Sequence, residues 1–154
     1  MNSTISTTVT FESDAFNTTL AKDYFINPDC YGDDLCRWLI AKLKEAGVEC
    51  DDEPGQEDFG WYFNYRVTGR AHCFVCGCRP GDGLEPGVWI GWIERCAGFI
   101  SSIFGGRNKG IAPGAARCIH EALSTAPEIS SIRWHYKQDF DCGDESSGRS
   151  DPGD

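Results

Sequence analysis

The spacing of apolar positions changes along this chain, from every second residue to every third or fourth, and each change marks an element. From Phe59 to Thr68 the sequence reads FGWYFNYRVT. On an extended chain Trp61, Phe63, Tyr65 and Val67 face one way, and Tyr62, Asn64, Arg66 and Thr68 face the other. This predicts a strand. Gly69 offers a tight turn into a second strand over Ala71 to Arg79, so the two should form a hairpin. Val88 to Arg95 reads VWIGWIER. Val88, Ile90 and Trp92 line one side and Trp89 and Ile93 the other, which predicts a central strand, buried on both sides or covered by a partner. Ser6 to Glu12 and Ile129 to Tyr136 complete the predicted strands.

Over Asp29 to Ala46 the period lengthens. Leu35, Trp38, Leu39, Leu43 and Ala46 recur at helical steps, Asp33 and Asp34 lie near the start, and Lys42 and Lys44 lie near the end. That polarity suits the helix dipole, and Gly47 is a plausible stop. A second helix is expected after Pro113, with Ala115, Ile119, Ala122 and Ala126 as its buried stripe and Pro127 as its end. Ala97 to Phe104 has no decisive period. The order predicts an α+β fold: a twisted antiparallel β-sheet with two α-helices packed on one face, a two-layer sandwich. Residues 1–137 are expected to form one domain, and the acidic, glycine-rich residues 138–154 a disordered tail.

The chain has 154 residues and is 40% hydrophobic, enough for a core without metal or disulfide staples. Its formal net charge is −10. That charge repels phosphate backbones and anionic lipid, so no nucleic acid and no membrane is expected as a partner. It suits capture of a basic protein partner. The opening MNSTISTTVTFESDAF has no basic region and no apolar run, so no signal peptide is expected. A cytoplasmic location follows as the expectation. There the nine cysteines, an odd number, would be reduced thiols rather than a disulfide framework.

Three of those cysteines stand together in AHCFVCGC. Cys73, Cys76 and Gly77 have the C-x-x-C-G spacing of a zinc knuckle, and Cys78 or His72 could add a further ligand. A second C-x-x-C hook is lacking, and on a strand Cys73 points away from His72, Phe74, Cys76 and Cys78. Buried thiols packing as small hydrophobes are the competing reading. A redox pair would need a helix N-terminus to lower its first pKa. No cofactor is expected. His120 on the second helix and His135 on the last strand complete no local catalytic signature, so the reading leans away from an enzyme.

Arg107-Asn108-Lys109-Gly110-Ile111-Ala112 is a basic glycine-containing loop that runs into the second helix, where backbone N–H groups can receive an anion. It resembles the pyrophosphate-binding loop of GNAT-type acetyltransferases. The resemblance implies that Arg107, Gly110 and Ala112 would hold acyl-CoA, with acyl transfer as an alternative function. That family adds a helix and further strands where this chain has its polar tail.

Asp51, Asp52, Glu53, Glu57 and Asp58 place five carboxylates in one loop. Their spacing is not that of a calcium loop, which leaves a solvated loop or a contact surface for a basic partner. Trp61, Trp89, Trp92 and Trp134 fall on predicted strands. Most should be core; an uncovered face would turn Trp89 and Trp92 into an apolar contact patch, for a partner or for a homodimer. The stretches EPGQEDFGWYF, GVWIGWIER, SSIFGGR and ISSIRWH together resemble proteins of the bacterial accessory genome, including those carried on mobile gene cassettes. That resemblance implies no activity and assigns no residue a role. The leading expectation is a small acidic binding module without catalysis; a zinc-stabilised module is the other alternative.

Overall fold

Alternation over residues 60–79 builds the hairpin that anchors the sheet. Gly60–Val67 pairs antiparallel with Arg70–Arg79, and Val67 stands opposite Arg70. Thr68 and Gly69 form the two-residue turn with φ of 51° and 79°. Positive φ at both positions matches the twist of the strands it joins. The computed structural model describes residues 6–17, 20, 22–26, 30–57, 60–79, 87–95, 111–112, 114–143 and 148–152. Its strands are β1 (Thr8–Glu12), β2 (Gly55–Glu57), β3 (Gly60–Val67), β4 (Arg70–Arg79), β5 (Val88–Arg95) and β6 (Ser130–His135). Its helices are α1 (Asp33–Glu45), α2 (Ala115–Ser124) and the short α3 (Lys137–Asp141).

All strand pairs are antiparallel, in the order β2-β3-β4-β5-β1-β6. The predicted α+β architecture is the observed one. The doubly apolar strand β5 is central, between β4 and β1. The inner face carries Val9, Phe11, Trp61, Phe63, Tyr65, Phe74, Cys76, Trp89, Ile93 and Trp134, all buried. Onto it α1 lays Leu35, Cys36, Leu39, Ile40 and Leu43, and α2 lays Ala115, Ala116, Ile119 and Leu123. Burial of each large apolar side chain contributes about 1.5–3 kcal/mol. The Tyr65 hydroxyl donates to the Ala115 carbonyl at 2.9 Å and fixes the start of α2 over the sheet.

Two departures from expectation have physical causes. Strand β2 lies inside the acidic loop, where its three residues are too few to show a period. The polar C-terminal stretch is not left loose within residues 137–143 and 148–152. It forms α3, and Arg149 exchanges both backbone hydrogen bonds with Trp134, at 2.6 and 2.8 Å. Arg117 pairs with Asp151 through two bonds of 2.8 and 2.9 Å, and the Pro152 carbonyl accepts the Ser6 N–H at 3.0 Å. The outer edge of β6 offers open backbone groups, and these residues satisfy them despite a composition that favours solvent. Among the described residues, no helix is long and apolar enough to cross a membrane.

Candidate functional site

The cysteine-rich strand does not converge on one point. Cys76 and Cys78 face inward with His72 and Phe74, while Cys73 lies on the opposite face of β4. Cys76 Sγ instead sits 3.5 Å from Cys36 Sγ on α1, and both are fully buried. Burial pushes the Cys36 thiol well above its ordinary pKa. Among the described residues no two cysteines are joined in a disulfide, and no three His, Cys, Asp or Glu side chains gather as a metal-ligand set.

Of the loop that resembles a pyrophosphate cradle, Arg107 and Gly110 lie outside the described residues. Ala112 is buried, and its N–H donates to His72 Nε2 at 3.0 Å. His72 Nδ1–H in turn donates to the Arg70 carbonyl at 3.0 Å, so the ring is the neutral tautomer with both nitrogens engaged. The Ala112 amide is therefore already committed and cannot serve a phosphate. Burial holds the His72 pKa below its ordinary value.

The acidic loop spends much of its charge locally. Asp52 pairs with Lys44, and Glu53 pairs with Arg37, both at exposed positions. Asp51 Oδ2 accepts the Asn64 backbone N–H at 2.9 Å and its side-chain amide at 3.1 Å. Glu57 is exposed at the end of β2, and Asp58 lies outside the described residues. Trp89 is not a contact residue: it is 1% exposed, with the edge of Phe16 against it at 6.0 Å between ring centroids. Phe16, which also packs on Trp38 of α1, covers Trp89 on the inner face. Trp92 is half-buried on the outer face, where its indole N–H donates to Glu94 at 2.8 Å.

The distinctive chemistry lies where α1 begins, beside β2. Asp33, the first residue of α1, is 1% exposed. Its Oδ2 accepts the Tyr24 hydroxyl, and its Oδ1 has no hydrogen-bond partner among the described residues. It makes no ion pair among the described residues. Arg37, one turn along, turns to Glu53 instead. A buried acceptor left open costs about 1–3 kcal/mol, and more when charged. The helix dipole offsets part of this at an N-terminal position.

Tyr24, the ring that bonds to that carboxylate, belongs to a cluster of four aromatic rings. Phe25 stands edge-on to Trp61 at 5.1 Å and to Tyr31 at 6.0 Å. Tyr24 meets Phe25 at 5.5 Å and Trp61 at 6.3 Å, nearly perpendicular to the latter. Gln56 of β2, opposite Trp61, stitches the corner together. Its Oε1 accepts the Ile26 N–H at 2.5 Å, and its Nε2 donates to the Cys30 carbonyl at 3.4 Å. The same carbonyl accepts the Trp61 indole N–H at 2.9 Å. Tyr24 covers Asp33 while remaining 53% exposed, flanked by the exposed Leu20 and Ile26. Its hydrogen bond to Asp33, with burial second, raises the Tyr24 pKa; Lys22 and Arg37 act the other way.

Sequence reasoning reached the acidic loop and Trp61 but not Asp33 or Tyr24 as a site. The available signal was an apolar Tyr24-Phe25-Ile26 lead-in placed just before a helix that opens on two acids. No protein-family model, curated protein or solved structure matches the chain.

Proposed function

We propose that this chain is a small, non-catalytic, cytoplasmic binding module that engages a basic protein partner at the corner between the start of α1 and β2. The observation that carries this reading is the buried Asp33, with one carboxylate oxygen held by an exposed tyrosine and the other open, in a chain of net charge −10. The acidic field draws a cationic partner in, and a desolvated carboxylate beside a ring cluster gives it a place to stop. The exposed Leu20, Tyr24 and Ile26 add apolar contact beside the charge.

The test is a titration of the isotopically labelled full chain with hexalysine, followed by amide NMR. Saturable shifts concentrated in residues 24–37 and 52–57, with affinity that falls steeply as salt rises, are expected. Salt-independent binding, or shifts spread evenly over the surface, would overturn the reading.

A further inference from the structure

We infer that the place occupied by the Tyr24 side chain is the seat for a lysine side chain from a basic partner, its terminal ammonium taking the place of the phenol hydroxyl at Asp33, and that Tyr24 is its displaceable plug. The inference rests on the proposed binding function and names the group that is bound. Tyr24 reaches Asp33 through one hydroxyl and stands 53% exposed, while its ring packs on the buried Phe25 and Trp61, so an occupant that displaces it must cover those two rings in its place. Asp33 Oδ1, on the same carboxylate as the oxygen that Tyr24 holds, is buried and has no hydrogen-bond partner among the described residues. A group that takes the place of the phenol reaches that carboxylate and lies against Phe25 and Trp61, whose centroids stand 5.5 and 6.3 Å from the present ring centre. Arg37 is held by Glu53, so the chain's own nearest guanidinium does not fill the seat.

A lysine side chain matches this place in both its parts. Its four-carbon stem lies where the ring lay, against Phe25 and Trp61, and its compact head reaches the carboxylate. The open oxygen then gains a charged donor, which removes the cost of leaving it unpaired. Because the plug must leave first, the apparent affinity of the whole chain is reduced by the fraction of time the seat is open.

The experiment compares hexalysine and hexaarginine binding to the full chain and to Tyr24→Ala, Tyr24→Phe and Asp33→Asn, with a melt of each variant to show that it is folded. Tyr24→Ala should bind hexalysine about 3- to 10-fold more tightly, since no ring has to be displaced. Tyr24→Phe, which keeps the ring and loses its bond to Asp33, should fall between and supplies the comparison if the alanine variant does not fold. Asp33→Asn should bind about 10-fold or more weakly, as loss of one desolvated charged contact predicts. Equal hexalysine affinity for the full chain and Asp33→Asn would overturn the seat and leave the acidic module standing. Tighter binding of hexaarginine than hexalysine would overturn the lysine assignment. If hexalysine binds none of the proteins, the module reading fails. The seat is then decided by n-butylammonium chloride on Tyr24→Ala, read at the Trp61 indole N–H resonance: a saturable shift absent from the Asp33→Asn variant supports it, and no shift overturns it.

Discussion

His72 Nε2 accepts the N–H of Ala112 at 3.0 Å, so a histidine near the start of β4 holds a residue just ahead of α2. Burial keeps this ring neutral, with its pKa below the ordinary 6.5, and burial does the same to His120. In the unfolded chain both rings take up protons as pH falls through 6.5; in the folded chain they resist. The unfolded state then binds more protons, so the contribution of these rings is full above 6.5 and is lost on acidification. The urea midpoint should fall between pH 7.5 and 5.5. His72→Phe should flatten that slope and cost about 1–3 kcal/mol at pH 7.5, because the Ala112 N–H loses its acceptor.

Gly91 is the point of closest approach within the sheet. A methyl group there would stand 2.3 Å from the end of the Phe74 ring on the neighbouring strand. Phe74 is fully buried and cannot swing away. Gly91→Ala should therefore destabilise the fold by about 1–3 kcal/mol, the usual cost of overpacking, measured as a lower urea midpoint with an unchanged slope.

Thiol accessibility should divide the cysteines sharply. Cys142 is exposed and should react with an aromatic disulfide reagent at once. Cys36 and Cys76 are buried against each other and should react only as the protein opens. Cys118, whose pKa burial pushes up to about 12, should be slow as well. Labelling followed by mass mapping in native buffer checks this order; early modification of Cys36 or Cys76 would contradict the packing.

Removal of the residues after Gly143 should lower Tm and loosen both ends of the sheet edge. It deletes the two backbone bonds of Arg149 to Trp134, the Arg117–Asp151 pair and the bond from Ser6 to Pro152. Each lost backbone bond is worth about 0.5–1.5 kcal/mol net. Hydrogen exchange at Ser6 and Trp134 should accelerate in the truncated chain, and unchanged protection there would show that the C-terminal residues contribute nothing.

Strands β3, β4 and β5 and both long helices were legible because each repeats its period over eight residues or more. The inward set Trp61, Phe63 and Tyr65 and the central place of β5 follow from alternation alone. What escaped was set by pairing across the chain. Strand β2 is too short for a pattern, and the bridge that Arg149 makes to Trp134 depends on an edge that composition does not reveal. Alternation put Trp89 and Trp92 on opposite faces of β5, but which face is core is decided by packing from elsewhere in the chain, Phe16 against Trp89. The candidate site was hardest, because Tyr24, Asp33, Gln56 and Trp61 come from four separate segments and none belongs to a motif.

The strand order carries a consequence for how the molecule comes to be made. Strand β1 is the first to leave the ribosome, yet its neighbours are β5 and β6. Thr8 must wait for Trp92 on one side and for His135, later still, on the other. Until then the threonine-rich first strand is an open edge, while the β3–β4 hairpin can close locally as soon as it emerges. Sheet completion is thus deferred until β6 has emerged, and the interval before it is when this chain is most exposed to mispairing with another copy of itself.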